Sequence, residues 1–225
     1  MAGLSALVED QLSFMGGDYS FVTAGGGQSI GAIKVAGGPL NVGNCNSATF
    51  ASVPYSGLGF ILGGNGSDGN NVGGMVRFDA SDPKNLSWTN ETLANGSYGI
   101  DVPNYYYGGQ MVYVPAGDEG ILVVFGGANI SAGIEPDWGW PYYSTFALIS
   151  IYDIASHTWF LQKASGDIPA HKSSFCGVAT TSPDGSAFHI TIYGGYSLEL
   201  TDAVETVSIL TLPSFTWIDA SSLSN

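Results

Sequence analysis

Residues 121–127 read "ILVVFGG", and residues 189–195 read "HITIYGG". In both stretches a short apolar run stops at two glycines, a pattern typical of a buried strand that ends in a tight turn. Two more runs end in the same way, "LSFMGG" at 12–17 and "GFILGG" at 59–64. The four glycine pairs are separated by 47, 63 and 68 residues. This spacing indicates an internal repeat of about 50 residues or more.

The segments that follow the last three glycine pairs also match one another. Each carries an apolar or aromatic residue and then a tryptophan on the far side of a predicted turn. The pairs are Phe78 and Trp88, Tyr152 and Trp159, and Leu210 and Trp217, with nine, six and six residues between them. We therefore predict that each unit contains a hairpin with an aromatic residue on its returning strand.

The composition favours strands over helices. The 225 residues include 33 Gly, 12 Tyr, 11 Phe and 5 Trp, and only 11% of the residues are charged. Aromatic residues and glycines at these levels suit strands and tight turns, so we predict an all-β fold. A hydrophobic content of 44% is enough for a sizeable core.

With these motifs the chain resembles the kelch-repeat, galactose-oxidase-like β-propeller family, and in particular fungal secreted or cell-wall-associated kelch proteins. Residues 151–195 carry most of the resemblance, residues 109–127 support it, and it covers nearly the whole chain. It implies a kelch-type β-propeller of about four blades, each a four-stranded antiparallel sheet, in a single region. The predicted blades are 11–46, 47–92, 108–163 and 173–219. We expect an incomplete ring, a fragment of a longer propeller, that associates with itself.

The glycine pairs are predicted to serve the architecture. A residue without a Cβ adopts positive φ and lets the backbone approach an aromatic ring, while the aromatic residues fill the space between blades. No Gly-Lys-Ser/Thr sequence follows the pairs, which argues against a phosphate-binding loop. The predicted structural residues are Gly16, Gly17, Gly63, Gly64, Gly126, Gly127, Gly194, Gly195, Trp88, Tyr152, Trp159 and Trp217.

For the second half of the chain the pattern predicts eight strands. They lie near 109–114, 121–125, 146–153, 158–163, 174–181, 188–193, 204–212 and 215–219. No helix longer than two turns is expected in 146–219.

Charge limits the classes of partner. Five Lys and Arg stand against 19 Asp and Glu, for a formal net charge of −14. Such a chain repels phosphate backbones and anionic lipid surfaces, so we expect no nucleic-acid partner. No apolar run approaches the roughly 20 residues of a membrane helix. The first fifteen residues show no export signal, since Glu9 and Asp10 interrupt the apolar stretch.

Asn-x-Ser/Thr sequences nonetheless favour an extracellular or cell-surface location. This composition gives about two such sequences by chance. The chain contains five, at Asn65, Asn85, Asn90, Asn95 and Asn129. A glycosylated surface and accidental matches in polar loops both remain open interpretations. The two cysteines, Cys45 and Cys176, are too few for a disulfide framework, and their pairing is left open.

The loops of the predicted blades divide into two rims. Connections between strands 1 and 2 and between strands 3 and 4 lie at one end of each sheet, and the other connections lie at the opposite end. The first rim has the short turns 115–120, 154–158 and 182–187. The second rim has the long loops 65–74, 93–109, 128–145 and 197–205. Long loops on a rigid scaffold are where binding sites are usually found, so the second rim is the candidate binding face.

The loop 128–145 is the richest in candidate binding residues. Flat aromatic rings beside carboxylates suit stacking on a sugar or a hot spot for a protein partner. The candidates are Glu135, Asp137, Trp138, Trp140, Tyr142 and Tyr143. The alternative is that these rings, like those of 105–107, bury one another. Asp101, Glu199, Asp202 and Glu205 also fall near this rim, either as Ca²⁺ ligands or as solvated charges.

The pattern of catalytic residue types is sparse. His157, His171 and His189 fall in different predicted elements, so we expect no metal site and no cofactor. We predict a non-enzymatic module that binds a protein or a glycan partner outside the cell. The alternatives are an oxidase or lyase built on the galactose-oxidase-like fold, and an incomplete fragment without independent function.

Overall fold

The computed structural model describes residues 48–54, 56–63, 74–82, 84–91, 106–129, 144–197, 202–203 and 205–223. These residues form strands, turns and one short 3-10 helix at Ser221–Leu223, so the all-β prediction is confirmed. In chain order the strands are β1 (Thr49–Val53), β2 (Leu58–Leu62), β3 (Met75–Asp79), β4 (Ser87–Asn90), β5 (Tyr106–Tyr107), β6 (Gln110–Val114), β7 (Ile121–Phe125), β8 (Ala128–Asn129), β9 (Leu148–Asp153), β10 (Thr158–Lys163), β11 (Ser165–Gly166), β12 (Cys176–Thr181), β13 (Phe188–Tyr193), β14 (Tyr196–Ser197), β15 (Asp202–Ala203), β16 (Val207–Leu212) and β17 (Thr216–Asp219).

Three antiparallel sheets follow one another along the chain. The first sheet has the order β1-β2-β3-β4, the second β6-β7-β9-β10, and the third β12-β13-β16-β17 with β11 added beside β17. The four-stranded antiparallel units are therefore confirmed. The eight strands predicted between 109 and 219 are confirmed to within three residues at each end. The predicted unit 11–46 lies outside the described residues.

The first and second sheets pack face to face. Antiparallel register places Leu122, Tyr152 and Trp159 in one row across the second sheet. These side chains join Phe60 and Met75 of the first sheet in one hydrophobic cluster, which we call the first junction. Tyr152 is 2% exposed, and its ring centroid lies 5.1 Å from that of Trp159. Both aromatic side chains therefore lie between the first and second sheets.

The second and third sheets meet in a second hydrophobic cluster, the second junction. Here Phe125, Phe146, Phe175 and Trp217 form a group of contacting rings with centroids 5.4 to 6.1 Å apart. The indole Nε1 of Trp217 donates a hydrogen bond to the carbonyl of Phe146 at 2.9 Å. Trp217 therefore fills the space between the second and third sheets. Trp88 lies opposite Phe78 in the register of the first sheet.

Gly126 illustrates the structural role of the glycine pairs. Its φ is +66°, and a Cβ at this position would lie 2.6 Å from Phe175 and 2.8 Å from Phe146. Only a residue without a side chain allows this close approach of backbone and rings. The other described members of the pairs also have positive φ; they are Gly63, Gly127, Gly194 and Gly195. Gly16, Gly17 and Gly64 lie outside the described residues.

A short parallel strand ties the second sheet to the third. Directly after β10, Ser165 and Gly166 pair in parallel with Thr216 and Trp217 of β17. Gly166 has φ +81°, and a Cβ there would collide with the carbonyl of Trp217. This strap was not predicted, because a two-residue strand has no periodicity that a sequence pattern could reveal.

The connections confirm the predicted division into two rims. At one end of each sheet, the connections join the first strand to the second and the third strand to the fourth. These connections have three to seven residues, such as 154–157. The connections at the opposite ends have 12 to 22 residues, such as 126–147. Strand β6 lies between β1 and β12, so the first strands of the three sheets are neighbours along one edge of the stack.

Within the described part of the chain, no helix has the length and apolar composition needed to cross a membrane.

Candidate binding rim

The rim of long connections is the candidate site, but much of its predicted content lies outside the described residues. This applies to Glu135, Asp137, Trp138, Trp140, Tyr142, Tyr143, Tyr105, Asp101 and Glu199, and to the sequons at Asn65 and Asn95. Tyr106 and Tyr107 form β5 and pair with β8. Asp202 lies in β15 opposite Ser197, and Glu205 is exposed.

The remaining sequons fall at strand ends and in a turn. Asn90 and Asn129 are the last residues of β4 and β8. Asn85 is exposed in the connection between β3 and β4, where its amide donates a hydrogen bond to Asp82 at 2.6 Å. Whether any of the five carries a glycan stays a prediction.

Residues 171–174, in the connection between β10 and β12, organise the described part of the rim. On the second-sheet side, the amide of Gly127 donates to the carbonyl of Lys172 at 3.0 Å. The amide of Ser144 donates to the carbonyl of Gly127 at 2.9 Å. Nδ1 of His171 lies 3.2 Å from the carbonyl oxygen of Ser144. Gly127 and Ser144, which flank residues 128–143, are therefore both held against this segment.

On its other side the same segment holds the third sheet and the start of the second. Ser173 and Tyr196 form a two-way antiparallel bridge, with N–O distances of 3.0 and 2.9 Å. The amide of Ser174 donates to the carbonyl of Gly108 at 2.7 Å. Three long connections thus meet residues 171–174 through backbone hydrogen bonds, which gives the rim a fixed base.

Lys172 places a buried cation in this base. The residue is 2% exposed, and its Nζ donates to Oγ1 of Thr206 at 3.2 Å. The same Nζ lies 5.8 Å from the centre of the Phe175 ring, within cation–π range. Burial lowers the pKa of the Lys172 ammonium, because loss of hydration disfavours its charged form.

Two buried hydroxyl groups flank the same segment. The bridge between Ser173 and Tyr196 puts Ser197 directly across from Lys172. Ser197 is fully buried, and neither its Oγ nor the Oγ of Ser144 has a hydrogen-bond partner in the described region. A cation and two unpaired hydroxyls can bind groups that accept hydrogen bonds. No sequence pattern predicts this arrangement, since Lys172 lies in a connection without a motif.

A second polar cluster lies at the edge of the first junction. Oε2 of Glu91 accepts a hydrogen bond from the Tyr152 hydroxyl at 2.9 Å and lies 3.0 Å from Nδ1 of His157. Nε of Arg77 is 3.3 Å from Oε1 of Glu91, without the alignment of a hydrogen bond. Burial and the Glu91 carboxylate raise the pKa of Tyr152. These contacts link the two sheets by charge as well as by packing.

The described residues bring no catalytic set together. His157 lies beside Glu91, His171 beside Ser144, and His189 in β13. Over the segments that the structure covers, no three His, Cys, Asp or Glu side chains are grouped so that they could hold a metal ion. Cys176 is an exposed free thiol on β12, and Cys45 lies outside the described residues.

Three meandering sheets stacked face to face, each with glycine after its second strand, are blades of a kelch-type β-propeller. The chain is similar to a kelch repeat-containing protein of Arthroderma benhamiae, with 33% identity over 117 residues. The match covers 50% of this chain and 16% of that protein, so the chain spans only a small part of this curated relative.

The solved structure of YjhT superposes with a TM-score of 0.49 at 18% identity, over 78% of this chain and 45% of that one. No protein-family model matches the chain.

Proposed function

We propose that this chain is a non-enzymatic kelch-type β-propeller module that binds a protein or glycan partner outside the cell through its long-loop rim. The observation that carries this proposal is the difference between the two ends of the sheets. One end has connections of three to seven residues, and the other has connections of 12 to 22 residues tied to a common base. Long loops on a rigid base are typical of binding surfaces.

The contacts at the base support binding by the predicted loop 128–145. The hydrogen bond between Ser144 and Gly127 closes this loop at its neck. A loop with fixed ends loses less conformational freedom when it binds, so less of the interaction energy is lost to ordering. The loop sequence supplies Trp138 and Trp140, residue types that are enriched in binding hot spots.

Tyr196 adds an aromatic group in the described part of the rim. Its side chain is 44% exposed, while its backbone is fixed by the bridge to Ser173. A ring on a rigid strand can stack on a sugar or enter a pocket of a protein with little loss of entropy.

The test is a binding experiment with the full chain secreted from a eukaryotic host. The chain is applied to a glycan array and, as bait, to a mixture of secreted proteins. We expect a partner in one of the two arms. Trp138→Ala and Tyr196→Ala should each raise the dissociation constant about tenfold or more, as hot-spot truncations do.

Phe160→Ala is the matched control. Phe160 is 40% exposed but lies on β10, away from the rim. Its replacement should leave the affinity unchanged. Absence of a partner in both arms, or equal loss of affinity in the rim and control variants, would contradict the proposal.

The extracellular location has its own test. After secretion from the same host, at least two of Asn65, Asn90, Asn95 and Asn129 should carry glycans. Treatment with endoglycosidase should then lower the intact mass. A mass that endoglycosidase leaves unchanged would argue against a glycosylated surface protein.

A further inference from the structure

A short antiparallel ribbon under the rim places Lys172 and Ser197 side by side. Ser173 and Tyr196 exchange two backbone hydrogen bonds, at 3.0 and 2.9 Å. Lys172 and Ser197 are the next pair along this ribbon, so they form a pair without backbone hydrogen bonds between them. In such a pair the Cα atoms lie about 4.5 Å apart and both side chains point to the same face. The side chain of Tyr196 lies on the other face of the ribbon.

The third glycine pair makes room for the buried side chain of Lys172. Gly195 has φ +104°, and a Cβ on it would lie 3.4 Å from Cδ of Lys172 and 2.9 Å from Cβ of Phe175. The apolar stem of Lys172 therefore runs along backbone that carries no side chain. The stem leads to Nζ, which donates to Oγ1 of Thr206 at 3.2 Å.

The described contacts of Lys172 suit an ammonium but do not balance its charge. An ammonium has three N–H donors. One donates to Thr206, and the Phe175 ring, 5.8 Å away, attracts the charged form. Among the described residues no carboxylate lies within ion-pair distance of Lys172. Burial is the cause of its lowered pKa, with no neighbouring carboxylate acting against it. The ammonium therefore lacks a counter-charge within the described region.

Ser197 adds a second donor to the same face. The residue is fully buried, and its Oγ has no hydrogen-bond partner in the described part of the chain. Buried hydroxyls nearly always have a partner, since loss of hydration without a new hydrogen bond is unfavourable. A single acceptor placed between Lys172 and Ser197 can serve both donors. If that acceptor carries a negative charge, it also balances the buried ammonium.

We propose that Lys172 and Ser197 form a binding site for one small anion that accepts hydrogen bonds, a halide or a carboxylate. The anion accepts one hydrogen bond from the Lys172 ammonium and one from the Ser197 hydroxyl. Both residues are at most 2% exposed, which limits the ligand to an anion of a few atoms. The site uses neither the loop 128–145 nor the exposed ring of Tyr196, so it goes beyond partner binding at the rim.

An acidic residue of the chain itself is the alternative source of counter-charge. Asp202 lies opposite Ser197 in the register, two strands away from Lys172. An internal carboxylate would make the chain independent of added anions. The Asp202→Asn variant separates the two cases, because removal of an internal counter-charge should create a requirement for an anion that the unmodified chain lacks.

The experiment compares two lysine variants with the same net charge. Lys172→Met keeps the apolar stem and removes the ammonium. Lys84→Met removes one charge from an exposed residue in the connection between β3 and β4. General screening of the net charge of −14 by salt acts on both variants alike. Urea unfolding of the full chain is measured over a range of sodium chloride concentrations and, in a second arm, of sodium acetate.

We expect the unmodified chain and Lys84→Met to gain stability with anion concentration beyond the gain of Lys172→Met. Above the dissociation constant, each tenfold rise in anion should add about 1.4 kcal/mol to the unfolding free energy. Ser197→Ala should raise the dissociation constant about tenfold or more, since it removes a hydrogen bond to a charged group. The chloride and acetate arms show which of the two kinds of anion binds more tightly.

Chlorine-35 NMR measures the binding without unfolding. The chloride line should broaden with the unmodified chain and with Lys84→Met, but not with Lys172→Met. Acetate should reverse the broadening if it competes for the same site. Because the donor must be charged, the broadening should also weaken at alkaline pH as Lys172 loses its proton.

Three results would overturn the proposal. Equal dependence on both anions in Lys172→Met and Lys84→Met would show that no anion binds at Lys172. If Lys172→Met does not fold, Ser197→Ala decides, and an unchanged affinity for both anions in that variant would exclude the site. Anion dependence that appears only in Asp202→Asn would identify Asp202 as the counter-charge. None of these readouts involves a partner at the rim, so they stand apart from the test of the proposed function.

Discussion

The two junctions join the same kind of sheets by different chemistry. The first contains the contacting rings of Phe60, Tyr152 and Trp159 among aliphatic and methionine side chains, and at its edge the Glu91 carboxylate bonds across the sheets. The second contains four contacting aromatic rings and a buried lysine. One glycine-and-aromatic repeat therefore allows a charged link at the edge of one junction and a larger aromatic cluster beside a buried lysine at the other. Variants that weaken one junction at a time measure how far the two differ.

The largest expected effect is at Trp217. Replacement by alanine removes a side chain that is 1% exposed and leaves the Phe146 carbonyl without its donor. We expect a loss of about 3–5 kcal/mol in the free energy of unfolding. Trp159, at the first junction, is 7% exposed and its Nε1 has no hydrogen-bond partner in the described region. Its alanine variant should lose about 1 kcal/mol less.

Urea unfolding of the two alanine variants under identical conditions makes the comparison. The phenylalanine variants are the controls for the hydrogen bond. Trp217→Phe should cost more than Trp159→Phe, since only Trp217 donates through its indole nitrogen. Equal losses of unfolding free energy at the two positions would show that the second junction is not more stable than the first.

A glycine substitution tests the close approach in the second junction. Gly126→Ala would force a Cβ against Phe175 and Phe146 at a φ of +66°. Overpacking and the left-handed conformation together should cost about 2–3 kcal/mol. Gly185 has a φ of +71° but open space around it. Gly185→Ala should cost only about 1 kcal/mol, so the difference in unfolding free energy isolates the ring contacts.

If both alanine variants lose the same free energy, backbone strain alone explains the requirement for glycine. The rings of Phe175 and Phe146 would then be able to move aside, and the second junction would be less tightly packed than its contacts indicate.

The sequence predicted the parts of the fold that depend on local pattern. Apolar runs, glycine pairs and aromatic spacing gave eight strand positions and the buried places of Tyr152 and Trp217. They did not reveal the Glu91 cluster, because its partners are 61 and 66 residues away and meet only when two sheets pack. Lys172 was missed for the same reason. The predicted binding loop, with Trp138 and Trp140, lies outside the described residues and stays a prediction.

A smaller effect is expected from the charged link of the first junction. Glu91→Gln keeps the shape of the side chain but removes the charge that faces Tyr152, His157 and Arg77. We expect a loss of about 1–2 kcal/mol, as for hydrogen bonds to a charged group that is close to the surface. Glu119→Gln, at an exposed turn residue, should change the unfolding free energy by less than about 0.5 kcal/mol.

Urea unfolding again gives the measurement, and added salt sharpens it. The difference between the Glu91→Gln variant and the unmodified chain should shrink as salt screens the partly exposed charges. A Glu91→Gln variant as stable as Glu119→Gln would mean that the Glu91 charge adds nothing to the packing of the first junction.

The smallest effect distinguishes the junctions by their response to alkaline pH. The pKa of Tyr152 is raised, so above pH of about 10 the unfolded chain loses this proton first and stability falls as pH rises. The pKa of Lys172 is lowered, so the folded chain loses its proton first. Below pH of about 10.4 that group therefore makes stability rise with pH.

Unfolding free energies measured from pH 7 to pH 11 should show both slopes. Tyr152→Phe should reduce the alkaline loss of stability, and Lys172→Met should remove the gain that precedes it, each by about 1 kcal/mol or less. Variants with the same pH dependence as the unmodified chain would show that neither group titrates differently on folding.

The strap formed by β11 has a consequence for the order of events during synthesis. Ser165 leaves the ribosome 51 residues before its partner Thr216. All residues of the first junction have been synthesised once Trp159 has been added. The second junction still lacks Trp217, which lies on β17, the strand that pairs with β11. Domains begin to fold from the N-terminal side during translation. Phe125 and Phe146 are therefore synthesised, and stay exposed, before Trp217 can complete the aromatic cluster. A nascent chain stalled between these points presents those rings to chaperones.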